Sequence, residues 1–157
     1  EPVFGGVYKL AAVEENGELI PKIKISENIV KITNPSYKKV WRLFDNGSRK
    51  AIADVITLAD EIIDDSKPYT IFDPEQTYKK TTLTDFTAKQ LQVQIFEKGK
   101  CIYNSPDVET IRAYCREQLE TIWDEVKRFE NPHEYYVDLS QPLWELKNRL
   151  LSEHFSR

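Results

Sequence analysis

The sequence predicts an α+β fold: antiparallel β-hairpins in the N-terminal half, followed by a C-terminal helical pair. Three observations carry that prediction. Asn16-Gly17 and Asn46-Gly47 each stand between runs of strand-forming residues, the strongest short-range hairpin signal. The last third places apolar side chains at helical spacing between recognisable caps. The strands come first and the helices last, without the alternation that builds parallel sheets.

Val7 to Val13 reads as the first strand, Glu15-Asn16-Gly17-Glu18 as its turn, and Leu19 to Ile25 as the return, with Ile23 and Ile25 alternating with Lys22 and Lys24. Ser26 to Tyr37 is a polar connection ending in an Asn34-Pro35-Ser36 turn. The hairpin device recurs as Val40–Phe44, Asp45-Asn46-Gly47-Ser48 and Lys50–Leu58. Beyond residue 60, Pro68 and Pro74 break any long element. A helical turn at Asp60–Asp64 and an extended Thr70-Ile71-Phe72 are expected there. Strand character returns at Leu91–Phe96, turns at Glu97-Lys98-Gly99-Lys100 and continues through Cys101-Ile102-Tyr103.

Ser105 suits a helix N-cap and Pro106 the first helical position, with Asp107 and Glu109 at the positive end of the dipole. Val108, Ile111, Cys115, Leu119, Ile122, Val126 and Phe129 then mark one helical face, closed by Lys127 and Arg128 and stopped by Asn131-Pro132. A second helix follows Ser140, with Leu143, Leu146, Leu150 and Phe155 inward.

At 157 residues with 40% hydrophobic and 11% aromatic content, the chain has enough apolar material for a core without disulfide or metal staples. No apolar run approaches the roughly 20 residues of a membrane span, and the N-terminus lacks a signal-peptide pattern. Two cysteines, Cys101 and Cys115, with no CxxC, point to the cytoplasm. Methionine is absent even at position 1, which suggests a chain processed, trimmed or cut from something longer.

The net charge of -4 hides an asymmetry: residues 22–50 carry +6 and residues 51–75 carry -6. Oppositely charged strands pairing on a solvated face account for it; clustered cations also attract phosphate. The acidic chain lacks a recognisable nucleic-acid motif, so nucleic acid is not an expected partner, nor is a membrane. Catalytic signatures are missing: no dinucleotide-binding glycine pattern, P-loop or nucleophile elbow. Asp60, Glu61, Asp64 and Asp65 offer carboxylates for Mg²⁺ but read more simply as a solvated turn. His133 offers an imidazole base but reads more simply as a loop-fixing residue bonded to backbone carbonyls, Cys115 as a small core residue, and Trp41, Trp123 and Trp144 as packing anchors.

Four stretches stand in order along the chain: Gly5-Gly6-Val7-Tyr8-Lys9-Leu10; Pro21-Lys22-Ile23-Lys24-Ile25-Ser26-Glu27-Asn28; Lys38–Phe44 with Ala51-Ile52-Ala53-Asp54; and Asn131-Pro132-His133-Glu134-Tyr135 with Leu139-Ser140. Together they resemble the C-terminal part of the nicotinate phosphoribosyltransferases, over nearly the whole chain. The resemblance implies an enzyme of NAD biosynthesis that joins nicotinate to phosphoribosyl pyrophosphate, with ATP hydrolysis, giving nicotinate mononucleotide. It also implies a β/α barrel upstream that binds the phosphates and carries a phosphorylated histidine, a role that matches neither His133 nor His154. Residues 1–60 would be strands completing the catalytic-core region, and 61–157 a C-terminal α+β appendage.

On that reading the segment is structural and inactive alone, its partner is the barrel of the same chain, and the parent is a homodimer using ATP and Mg²⁺. No cofactor is expected on the segment itself. Lys24, Ser26 and Lys31 are the candidate substrate-binding residues, facing a phosphate at the rim of the barrel; solvation of a strand edge explains the same lysines without a ligand. The alternative for the whole chain is a stand-alone protein-interaction module.

Overall fold

The computed structural model describes residues 5–156. Strand β1 (Ala12–Glu15) pairs antiparallel with β2 (Glu18–Pro21). Asn16 and Gly17 between them have φ of 54° and 80°. This double left-handed turn matches strand twist and is the reason Asn-Gly suits it. The hairpin is shorter than its apolar pattern predicts, because residues 5–11 carry no regular structure and Val7 and Tyr8 remain exposed. A 3-10 turn at Ile29–Lys31 interrupts the connection to β3 (Lys38–Asp45).

Strands β3 and β4 (Ala51–Leu58) form the long hairpin that the sequence predicts. Its turn is not a second Asn-Gly turn, however. The residue with positive φ is Arg49, at 58°. The Asp45 carboxylate accepts from the Ser48 N–H and hydroxyl, both at 2.6 Å, and Arg49 N–H reaches Asp45 O at 2.7 Å. An aspartate side chain mimicking a backbone turn displaces the local preference of Asn-Gly.

Ala59 and Asp60 form a turn and residues 61–64 carry no regular structure, so the expected helical turn does not form. The Glu61 carboxylate accepts from Leu58 N–H at 2.6 Å, taking over the end of β4. Then Tyr69–Phe72 is extended as expected, as strand β5, and it pairs with β6 (Lys80–Leu83), which the sequence reading does not predict. Strand β7 (Phe86–Gln90) joins β3. The alternating Leu91–Phe96 run that the pattern marks as a strand is mostly irregular. Gln92 explains this: its side chain accepts from Val40 N–H at 2.8 Å and donates to Lys38 O at 3.1 Å, standing in for strand pairing. A small hairpin of β8 (Phe96–Glu97) and β9 (Lys100–Cys101) follows.

Helix α1 (Val108–Thr121) starts two residues later than Ser105 would set it. Asp107 is the N-cap, its carboxylate accepting from Thr110 N–H at 2.8 Å. The helix also ends eight residues before Phe129. Lys50 donates to Glu120 O at 2.6 Å and Trp123 Nε1 to Ala51 O at 2.9 Å, so contacts from β4 and its turn hold the end of α1 and the residues after it. No residue of α1 is buried. Its apolar stripe is therefore an exposed face, and Cys115 lies at the surface, contrary to its reading as core.

Strand β10 (Val137–Leu139) completes a four-stranded sheet of order β10-β4-β3-β7, parallel to β4 and otherwise antiparallel. The sheet takes β3 and β4 from residues 1–60 and β7 and β10 from residues 61–157. One face carries the core: Trp41, Leu43, Ala53 and Val55 pack with Ile63, Ile71 and Phe86. Burying each of the larger side chains contributes roughly 1.5–3 kcal/mol.

Helix α2 (Gln141–Phe155) packs on β4 with Leu143 fully buried, while Phe155 at the far end is exposed. Ser140 is its N-cap: Oγ accepts from Leu143 N–H at 3.4 Å and donates to Glu61 Oε1 at 2.7 Å. Ser140→Ala removes both bonds and is expected to cost about 1–2 kcal/mol in urea unfolding. Asp107→Ala, at the exposed α1, is expected to leave global unfolding within about 0.5 kcal/mol.

Candidate functional site

The basic segment forms an exposed loop closed at its neck. Lys24 N–H donates to Thr33 Oγ1 at 2.9 Å, and Thr33 N–H returns to Lys24 O at 3.4 Å. Ser26 Oγ accepts from Asn28 N–H at 3.3 Å, and Lys31 ends the 3-10 turn. Lys24, Ser26 and Lys31 thus occupy one loop of about ten residues. The two lysines project to solvent, and Ser26 is half-buried.

The four acidic residues do not converge. Glu61 serves the β4 end and Ser140, Asp64 binds Ser66 and Lys67, and Asp65 accepts from Ala88 N–H at 3.0 Å. Lys67 at 2.7 Å and the Ser66 hydroxyl hold the Asp64 carboxyl down to about 2. No group of three or more metal-ligating side chains is present among the described residues. His133 fixes its loop through its backbone, donating to Glu125 O at 2.9 Å. Trp41 and Trp144 anchor the packing as expected, through Nε1 bonds to Thr57 Oγ1 and Pro74 O; Trp123 is half exposed.

The most connected polar node lies on the sheet. Arg42 of β3 faces Asp54 of β4 through Nε–Oδ1 at 2.8 Å and Nη2–Oδ2 at 2.9 Å. Tyr135 donates to Asp54 Oδ1 at 2.9 Å, and its ring centroid lies 5.8 Å from the guanidinium carbon. Burial first, and Asp54 second, push the Tyr135 phenol well above its usual range, so it remains a donor. Tyr135 falls in the Asn131–Tyr135 motif, and Asp54 ends the Ala51–Asp54 motif. Their contact spans 81 residues and gives both stretches a structural job.

A profile of the nicotinate phosphoribosyltransferase C-terminal domain matches residues 37–147. The chain belongs to that family. It is similar to the nicotinate phosphoribosyltransferase of Bacillus subtilis, 40% identical over 157 residues, covering 100% of this chain and 32% of the relative. The human enzyme of that name is 28% identical over 150 residues, covering 96% of this chain and 27% of the relative. The chain therefore spans a third or less of these curated relatives. A crystal structure of human nicotinic acid phosphoribosyltransferase superposes with a TM-score of 0.68 at 24% identity, over 76% of this chain and 24% of that one. That superposition establishes a shared fold. The α+β class expected from the hairpins and helices is thus also the family's fold in this region.

Asp138 of β10 carries no motif and escapes the sequence reading. It is 4% exposed, and burial, with Asp73 beside it, pushes its carboxyl up to about 6. An unfolded aspartate titrates near ~3.9. The folded state therefore holds an extra proton between these values. Its contribution is fully present below about pH 4 and is lost as pH rises through about 6. Asp138→Asn removes this loss, so the variant is expected to melt higher than the wild type at pH 7 and no higher at pH 4. Thermal unfolding at the two pH values checks it.

Proposed function

We propose that the chain is the C-terminal portion of an NAD-biosynthetic enzyme that joins nicotinate to phosphoribosyl pyrophosphate, with ATP hydrolysis, giving nicotinate mononucleotide. Within that enzyme these residues are structural, and alone they are inactive. The observation that carries this reading is the domain match over residues 37–147, supported by relatives bearing the enzyme's name along the whole of this chain.

The partner is the remainder of the transferase chain, a barrel domain, in a cytoplasmic homodimer. Open apolar side chains support a covering partner: Tyr8 is 85% exposed, Val108 68% and Phe129 102%. No helix among the described residues is long and apolar enough to cross a membrane. The donor set does not fit Mg²⁺, since no three metal-ligating side chains gather among the described residues. On this reading Mg²⁺ and ATP belong to the remainder of the parent chain, and no cofactor sits on this segment.

The intact mass of the natural gene product and its nicotinate mononucleotide formation test the reading. A product well above 18.4 kDa, active whole and inactive as residues 1–157, is the expected result. A mature species near 18.4 kDa would overturn it.

Lys24, Ser26 and Lys31 are assigned to a phosphate of substrate or nucleotide at the barrel rim. What supports this is their shared exposed loop within the +6 segment. In the full natural chain, Lys24→Ala is expected to raise KM for phosphoribosyl pyrophosphate or ATP about tenfold, the equivalent of one charge-assisted hydrogen bond. Unchanged kinetics for both would remove Lys24 from the site.

A further inference from the structure

Beside the β5–β6 hairpin a cavity of about 330 Å³ opens against β10. Asp138 lines it, and its position is unusual for the fold. It pairs in register with Val55, a core residue, so packing alone would place an apolar side chain there. The carboxylate accepts no hydrogen bond within the described chain. No fully buried side-chain oxygen among the described residues lacks a partner. The Asp138 oxygens therefore keep their access to solvent, and that access is the cavity.

The charges around the cavity come from both of its walls. Asp73, in the β5–β6 connection, lies close enough to repel Asp138, and its Oδ1 accepts from Glu75 N–H at 2.8 Å and Gln76 N–H at 3.0 Å. Lys79 and Lys80 line the cavity and form no ion pair with either carboxylate. Tyr69, pushed up to about 12 by burial, with Glu61 and Asp138 adding to it, is neutral and contributes no compensating charge. Phe72 and Tyr136 supply aromatic walls. One carboxylate without a hydrogen bond, a second whose Oδ1 holds its own turn, two ammonium groups outside any ion pair and two aromatic rings thus share one small concave space. Such a set suits a ligand with a cationic head against the carboxylates and rings, and an anionic group toward the lysines.

We propose that this cavity is a binding site for a small zwitterion, its guanidinium or ammonium group held by Asp138 and Asp73 and its carboxylate by Lys79 and Lys80. The site is independent of the transferase reading and lies apart from Lys24, Ser26 and Lys31. Its cost to the fold is the buried unpaired carboxylate, which occupancy relieves.

The test uses the full natural chain, ¹³C-labelled at isoleucine δ1 methyls, because Ile71 lines the cavity. L-arginine and L-lysine are titrated as zwitterionic probes, and agmatine as the probe lacking a carboxylate. A saturable shift of the Ile71 methyl is expected with the amino acids, weakened about tenfold or more by Asp138→Asn. Lys79→Ala with Lys80→Ala is expected to weaken L-arginine and to leave agmatine as tight or tighter, since two repelling charges are removed. No Ile71 response to any probe, or equal binding by Asp138→Asn, would overturn the proposal. So would an Asp138→Asn protein that melts lower than the wild type at pH 7, since the carboxylate would then be serving the fold.

Discussion

Replacing Arg42 with alanine is expected to cost the fold about 3–5 kcal/mol, read as unfolding free energy in urea at pH 7. The pair it breaks is well shielded, with side chains 17% and 12% exposed for Arg42 and Asp54. Two parallel N–H···O contacts of 2.8 and 2.9 Å make it a fork against a carboxylate, and Tyr135 adds a third bond to Asp54. Alanine leaves a shielded carboxylate with a single phenol donor, and that uncompensated charge accounts for most of the loss. Arg42→Lys keeps the charge but forfeits the fork, so an intermediate loss is expected. The double variant Arg42→Met with Asp54→Leu should recover most of the stability, because it removes both charges together. A loss below about 1 kcal/mol for Arg42→Ala would place the pair among solvent-screened surface bridges instead.

Leu143→Ala carries the second large effect, about 2–5 kcal/mol. Leu143 is 0% exposed where α2 packs over β4. The neighbouring Trp144 meets Phe72 edge-on, with ring centroids 6.1 Å apart, and donates to Pro74 O at 2.9 Å. Loosening Leu143 therefore also strains the seat of the β5–β6 hairpin. Urea unfolding gives the magnitude, and amide exchange along α2 shows whether the helix opens by itself before the sheet does. Leu119→Ala on α1, at a side chain 53% exposed, is expected to stay within about 0.5 kcal/mol in residues 1–157. The same substitution in the full natural chain should cost clearly more if the barrel covers the α1 face.

The contrast between those two leucines shows how far the sequence could be read. Both sit at helical spacing among apolar neighbours and look alike in one dimension. Ser140 marked the start of α2 correctly because capping is decided within four residues. The same local logic set Asn16-Gly17, and the β3 and β4 runs were long enough for their pattern to prevail. It failed at Leu91–Phe96, where the Gln92 side chain took the hydrogen bonds a strand would make. It failed again at the end of α1, where Lys50 reaches Glu120 O and Trp123 reaches Ala51 O, each across about seventy residues of chain. The basic segment was visible as charge, but its closure by Lys24 and Thr33 was not.

By itself, the sequence determined the α+β class, the first hairpin turn, the long β3–β4 hairpin, the cap of α2 and the family. Each depends on residues near one another in the chain or on order along it. Only the tertiary structure decided that Asp54 meets Arg42 and Tyr135, that α1 stands uncovered, and that Asp138 is buried beside Asp73. The physical reason is separation along the chain. Burial and pairing depend on which segments the sheet brings together, and β10 reaches β4 from more than seventy residues away.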